Sequence, residues 1–159
     1  MPNVIKQISC KEWSKFQLCL KAGPCVQPAF PGGICYGLFP DDNRPAIASM
    51  VWYSYPFFHT GFRSEVLVEM QGLPEKEALS FINRNIRLLA RVSTLPEFRG
   101  NGYAYELCLG TLPMLGVPII ECLTAHDEVR RLLTRLGFFC LSENRQKTVD
   151  YWVKRLEIL

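Results

Sequence analysis

The sequence predicts one α/β (α+β) domain, residues 1–159, around a mixed sheet. Three observations point there. A chain of 159 residues suits one domain and leaves little room for two. Hydrophobic residues at 48% against 21% charged supply a core and exclude a disordered or low-complexity chain. Short β-branched and aromatic runs interleave with segments whose apolar residues recur at helical spacing.

The elements follow in order. Ser9 and Glu12 form an S-x-x-E capping box, and Trp13, Phe16 and Leu20 recur at helical spacing, so a helix spans 10–21. AGPCVQPAFPGG (22–33) is punctuation by Pro and Gly, suited to a loop over a pocket. ICYGLF (34–39) and AIASMVWYS (46–54) are strands joined by the breaker-rich PDDNRP (40–45), which makes 34–54 a hairpin. YPFFHTGF (55–62) is an aromatic loop, and SEVLVEM (64–70) fits a short strand or part of a helix equally. Pro74 opens a helix over EKEALSFINR, with acids in the first turn where the helix dipole prefers them. IRLLARVST (86–94) is a strand. RGNGYAYELCLGTLP (99–113) starts in glycines and becomes an amphipathic helix through Ala104, Leu107, Cys108 and Leu112. VPIIECLT (117–124) is a short apolar strand. Asp127 caps the next helix, whose stripe is Val129, Leu132, Leu133 and Leu136 and whose stop is Gly137. FFCLS (138–142) and TVDYWVKRLEI (148–158) close the chain as two strands.

Charge and composition exclude several function classes. With 18 Lys+Arg against 15 Asp+Glu, the net charge of +3 is too mild to mark a nucleic-acid protein by bulk. No apolar run approaches the roughly 20 residues that span a bilayer, and MPNVIKQISCKEW lacks the pattern of a secretory leader. A cytoplasmic protein without a membrane partner is expected. The seven cysteines contain no C-x-x-C pair and have only His59 and His126 beside them, so no metal site is expected. They read as reduced thiols, mostly filling core.

The stretch that carries chemistry is RVSTLPEFRGNGYAYELCLGTL (91–112). A strand ends, Pro96 breaks it, and a turn through Gly100 and Gly102 feeds a helix. Glycines let the backbone bend closely and aim successive N–H groups outward, and the helix adds its positive end. Arg99 adds a full charge. The arrangement favours a phosphate or pyrophosphate. G-N-G-Y-A-Y lacks the third glycine of the dinucleotide fingerprint and the Lys-Ser/Thr of a Walker loop.

Arg99-Gly100-Asn101-Gly102-Tyr103-Ala104 resembles the R-x-x-G-x-A/G phosphate motif of the GNAT acyltransferase superfamily. Thr94-Leu95-Pro96-Glu97-Phe98 is similar to the strand end before that motif, and HDEVRRLLTRLGF (126–138) to the superfamily's later helix ending in Leu-Gly-Phe. A finer resemblance, in Asn85-Ile86-Arg87, Ala90-Arg91-Val92 and Gly116-Val117-Pro118-Ile119-Ile120-Glu121, is to acyltransferase-like domains associated with transporter-type ATPases. It extends more distantly to phage Mom-type adenine-modifying proteins.

The resemblance implies a mixed, mostly antiparallel central sheet flanked by helices. It also implies acetyl-CoA (acyl-CoA) as cosubstrate and direct attack of an amine on the thioester. Pantetheine would lie along Val92, Ser93 and Thr94, and pyrophosphate on the amides of Arg99, Gly100, Asn101, Gly102, Tyr103 and Ala104. The Tyr that serves many members as acid is replaced here by Leu132 or Leu133. Tyr53 and Tyr55 could line the acceptor cleft, while Tyr103 and Tyr105 have helix packing as their simpler role.

Arg91 and Glu121 interrupt apolar strands, and such charges are rarely buried without a partner. Either they pair with each other, or Glu121 serves as a water-assisted base and Arg91 orients the acceptor. His59 is a further cleft candidate, and His126 could form a Cys–His pair with one of the cysteines. Arg130, Arg131 and Arg135 lie off the apolar stripe, on a face open to solvent, nucleic acid or an acidic protein. The leading function is an N-acyltransferase for a small-molecule or macromolecular amine, as monomer or homodimer. The alternatives are a Mom-like nucleobase modifier and a coenzyme A-binding module without turnover.

Overall fold

Among the described residues of the computed structural model (2–19, 33–40, 46–57, 63–141 and 149–157), seven strands form one mixed sheet. They are β1 (Val4–Ile8), β2 (Ile34–Phe39), β3 (Ser49–Ser54), β4 (Ile86–Thr94), β5 (Ile119–Thr124), β6 (Phe139–Cys140) and β7 (Asp150–Arg155), in the spatial order β1-β2-β3-β4-β5-β7-β6. β1/β2, β2/β3, β5/β7 and β6/β7 pair antiparallel; β4/β5 is parallel, as a strand–helix–strand crossover requires. The helices are α1 (Cys10–Cys19), α2 (Arg63–Val66), α3 (Glu75–Asn85), α4 (Tyr103–Thr111) and α5 (Asp127–Arg135). The sheet is mixed and mostly antiparallel with flanking helices, as the sequence resemblance implies. Two compact units divide the chain: Met1–Ser54 with Leu89–Met114, and Tyr55–Leu88 with Leu115–Leu159.

In the first unit, β1 is a strand that the sequence reading leaves unassigned. Lys6 and Gln7 interrupt its apolar pattern, and both are exposed; the strand exists because Val4–Ile8 pairs with Phe39–Cys35. The capping box of α1 is formed: Ser9 N–H donates to Glu12 Oε2 at 2.7 Å and Glu12 N–H to Ser9 Oγ at 3.3 Å. These bonds hold the Glu12 carboxyl below its ordinary pKa. α1 buries Trp13 and Phe16 with Ile8, Cys35, Met50, Trp52 and Leu95. The hairpin runs in the register Ile34↔Tyr53 to Leu38↔Ser49. Its second strand begins at Ser49 rather than 46; just before it, Ala48 N–H donates to Leu38 O and Ala48 O accepts from Leu95 N–H, both at 2.9 Å. α4 packs on β2 and β3, and Gly110 admits Ile5, whose Cδ1 would lie 2.7 Å from any added Cβ. The Gly/Pro loop (22–33) lies outside the described residues except for Gly33, as does most of the hairpin turn.

In the second unit, the undecided segment 64–70 is helical: α2, then a single 3-10 turn over Val68–Met70. Pro74 precedes α3, its carbonyl taking Ala78 N–H. Leu67, Ile82, Ile86, Ile119, Tyr151 and Val153 form the core. α5 buries its stripe at Leu133 and Leu136, with Val129 and Leu132 half-buried. Gly137, at φ +77°, ends it with Phe138 N–H on Leu133 O. Asp127 is not the cap. His126 holds that position without a side-chain cap bond, while Asp127 Oδ1 accepts from Arg130 Nη1 at 2.6 Å. Arg130 also donates to Asp150 Oδ2 at 2.6 Å, so it is an ion-paired residue rather than part of a solvated basic face. β6 is only two residues long, and residues 142–148 lie outside the described set.

Candidate functional site

The glycine turn keeps the geometry its sequence demands. Gly100 and Gly102 have φ of +83° and +79°, a region other residues enter only with strain. Residues 99–102 are exposed, and a Cβ on either glycine would meet nothing within 4 Å. The turn is therefore open on the side where side chains would stand. Glu106 N–H on Gly102 O, at 3.0 Å, is the first helical bond of α4. The amides of Tyr103 and Ala104 precede any partner within the helix. Residues 99 and 100 form a hydrogen-bonded turn, and the amides from Gly102 on open the helix. The Arg99 amide donates to Pro96 O at 3.3 Å, which leaves its guanidinium, with Nε 3.4 Å from Thr94 O, as its part in the site. Asn101 Nδ2 donates to Phe98 O at 3.0 Å and fixes the turn from inside. Tyr103 is half-buried, its ring 6.3 Å from that of Phe98.

Val92, Ser93 and Thr94 are half-buried on β4. The parallel register with β5 is Ile86↔Ile119 to Leu88↔Glu121, and the strand continues beyond it to Thr94. Ser49 Oγ donates to Ser93 O at 3.1 Å and meets Thr94 Oγ1 at 2.9 Å, fixing the last residues of β4.

Glu121 is buried at 0% exposure, as the reading of a charge on an apolar strand anticipates, but the guanidinium that meets it belongs to Arg63. Arg63 Nε donates to Glu121 Oε2 at 3.0 Å and Nη2 to Oε1, a two-pronged pair. Tyr151 O–H adds a third donor to Oε2 at 2.8 Å. Burial first, then the Glu121 charge, pushes the Tyr151 hydroxyl far above its ordinary pKa, so it remains a donor. Both oxygens of Glu121 are engaged, so the carboxylate is built into the core rather than poised before solvent. Arg91 is exposed on β4. Nothing in the sequence links position 63 to position 121; the only signal is that a buried Glu must have a partner.

Tyr53 is 1% exposed. Thr111 Oγ1 donates to Leu107 O at 2.8 Å, so the Tyr53 O–H donates to Thr111, also at 2.8 Å. Burial raises its pKa well above the ordinary value. Tyr53 is thus held between β3 and α4 and is not at a cleft surface. Tyr55 is 43% exposed, with Arg87 Cζ 4.3 Å from its ring centroid. His126 is exposed, and His59 lies outside the described residues. Among the described residues there is no metal-holding cluster, and no helix is long and apolar enough to cross a membrane.

The cysteines divide by environment. Cys35 and Cys108 are buried and their pKa values are pushed up to about 12, by burial first. Cys10 and Cys19 are exposed. At pH 8, iodoacetamide is expected to label Cys10 and Cys19 within minutes and to leave Cys35 and Cys108 unmodified until denaturant is added, as read by peptide mass spectrometry.

No family model matches the chain, and no curated protein matches its sequence. Solved structures match it in fold. Drosophila melanogaster polyamine N-acetyltransferase, an enzyme that catalyzes the formation of N-acetylagmatine, superposes with a TM-score of 0.63 at 14% identity, covering 98% of this chain and 100% of its own. Arabidopsis thaliana NAA60, in complex with acetyl-CoA, gives 0.63 at 9% identity and 98% of both chains. The ribosomal-protein-S18-alanine N-acetyltransferase of Escherichia coli gives 0.58 at 11%, covering 99% of this chain and 94% of its own. The fold of this chain is that of the GNAT-like acetyltransferases.

Proposed function

We propose that this chain is an acyl-CoA-dependent N-acyltransferase that moves an acetyl group from acetyl-CoA to an amine. The open glycine turn carries the reading: exposed amides at a helix start, with empty space where side chains would stand. The Arabidopsis structure of the same fold was solved with acetyl-CoA. In this reading the amides of Gly100, Asn101, Gly102, Tyr103 and Ala104 hold the pyrophosphate, and the Arg99 guanidinium adds charge. The main chain of Val92 to Thr94 lies along the pantetheine arm.

Acetyl-CoA, when bound, supplies an activated thioester that an amine attacks directly. The protein's part is mostly positioning. Arg91, exposed on β4, is assigned to orienting the acceptor. Glu121, with both oxygens engaged, acts as a support for Arg63 rather than as a reachable base. Tyr53, locked on Thr111, has no part in proton transfer.

Acetyl-CoA at roughly a hundredfold excess over its Kd is expected to raise the melting temperature by about 5–10 °C. No stabilisation by any acyl-CoA would remove the reading. The second reading, a coenzyme A-binding module without turnover, is favoured by Leu132 and Leu133 at the place of the usual acid. It predicts the same stabilisation but no thiol release with any amine. The finer resemblance to the transporter-ATPase-associated and Mom-type proteins rests on sequence motifs alone; modified adenine in DNA from expressing cells, read by mass spectrometry, is its test.

A further inference from the structure

Residues 63–70 are tied to β5 and β7 by two ion pairs of opposite polarity. α2 is a single turn of four residues, too short to persist on its own bonds. The segment closes on itself through Leu67 N–H on Arg63 O, Met70 N–H on Leu67 O and Gln71 Nε2 on Ser64 O. At its start the buried Arg63 grips Glu121 of β5, which also accepts from Tyr151 of β7. Near its end Glu69 accepts from Nη1 and Nη2 of Arg155 on β7, at 2.8 and 3.1 Å. Glu121 pairs with Val153 in the sheet and Arg155 stands two residues on, so Glu121 and Arg155 share one face.

The apolar residues between these pairs choose a register weakly. Val66, Leu67 and Val68 are consecutive, and Met70 follows two later. Leu67 is 0% exposed, in the cluster of Ile82, Ile86, Ile119, Tyr151 and Val153, while Val68 is 69% exposed. Turning the segment by one residue would set Val68 where Leu67 stands and lose one buried methylene, about fourfold in population. As a strand, the same residues would carry Val66, Val68 and Met70 on one side. The charges discriminate far more. Separating a buried carboxylate from its guanidinium costs more than about a hundredfold in population. Docking in the reverse direction would set Arg63 against Arg155 and Glu69 against Glu121, like charge facing like charge.

We propose that the Arg63–Glu121 and Glu69–Arg155 pairs are a register key, which selects one docking of residues 63–70 on β5 and β7 from several that apolar burial leaves close in population. The inference is independent of the transferase reading.

The test follows Ile, Leu and Val methyl groups of the ¹³C-labelled full chain by their NOE cross-peaks to Ile82 and Ile119. In the wild type Leu67 is expected to carry these cross-peaks and Val68 none. In Arg63→Met combined with Glu121→Leu, the urea midpoint is expected to stay near that of the wild type, while the Val68 cross-peaks rise to about a quarter of those of Leu67. Arg63→Ser combined with Ser64→Arg moves the cation one residue along and is expected to make the Val68 cross-peaks the stronger of the two.

A folded Arg63→Met/Glu121→Leu protein in which Val68 stays without cross-peaks overturns the proposal, because apolar contacts would then suffice to choose the register. So does a folded protein with the displaced cation in which Leu67 keeps its place. Failure of the first variant to fold also overturns it, since the pair would then hold the fold itself rather than choose among dockings. Should the displaced variant not fold, the first variant decides alone.

Discussion

Glu121→Ala is expected to lower unfolding free energy by about 3–5 kcal/mol, because it removes the carboxylate that both Nε and Nη2 of the buried Arg63 guanidinium hold. The Tyr151 hydroxyl loses its acceptor in the same step. Urea unfolding followed by fluorescence reads the effect as a lowered midpoint at unchanged slope. Arg63→Met combined with Glu121→Leu removes both charges and is expected to recover most of the loss, since a buried pair is often no better than apolar residues of similar size. A loss below about 1 kcal/mol in Glu121→Ala, the size typical of exposed pairs, would mean that water reaches the pair.

Gly102→Val is expected to weaken acetyl-CoA binding by more than about a hundredfold while costing roughly 1–2 kcal/mol of stability. The two effects have different origins. At φ +79° a β-branched residue is strained, yet its Cβ meets no protein atom within 4 Å, so the fold loses only backbone energy. The new methyls occupy the open side of the turn, where the proposed pyrophosphate needs close approach to the amides. Isothermal titration with acetyl-CoA, alongside thermal melting, separates the two. Wild-type affinity in a folded Gly102→Val protein would show that the ligand does not use this turn.

Much of the architecture was legible because it is locally encoded. Ser9 and Glu12 fix where α1 starts, Gly137 where α5 ends, and the nine residues Ile86–Thr94 form the strand their apolar run announces. β1 was not legible, since Lys6 and Gln7 break its pattern and only pairing with β2 makes it a strand. The glycine turn was readable for a related reason: its backbone shape depends on Gly100 and Gly102 themselves. The partner of Glu121 was not, because Arg63 and Tyr151 reach it from elements distant in sequence. A carboxylate's burial predicts that it has a partner but not which one. Asp127 shows the limit of a local rule, for Arg130 competes successfully for the side chain that would otherwise cap α5.

β7 is the last described strand in sequence, yet it lies inside the sheet, between β5 and β6. Synthesis on the ribosome therefore delivers β5 before the strand that pairs with it. Until Asp150–Arg155 emerges, β5 offers an uncovered edge to other chains, and nascent protein passes through a stage open to aggregation. Premature stop codons upstream of Asp150 should for that reason yield insoluble product rather than a shortened folded chain.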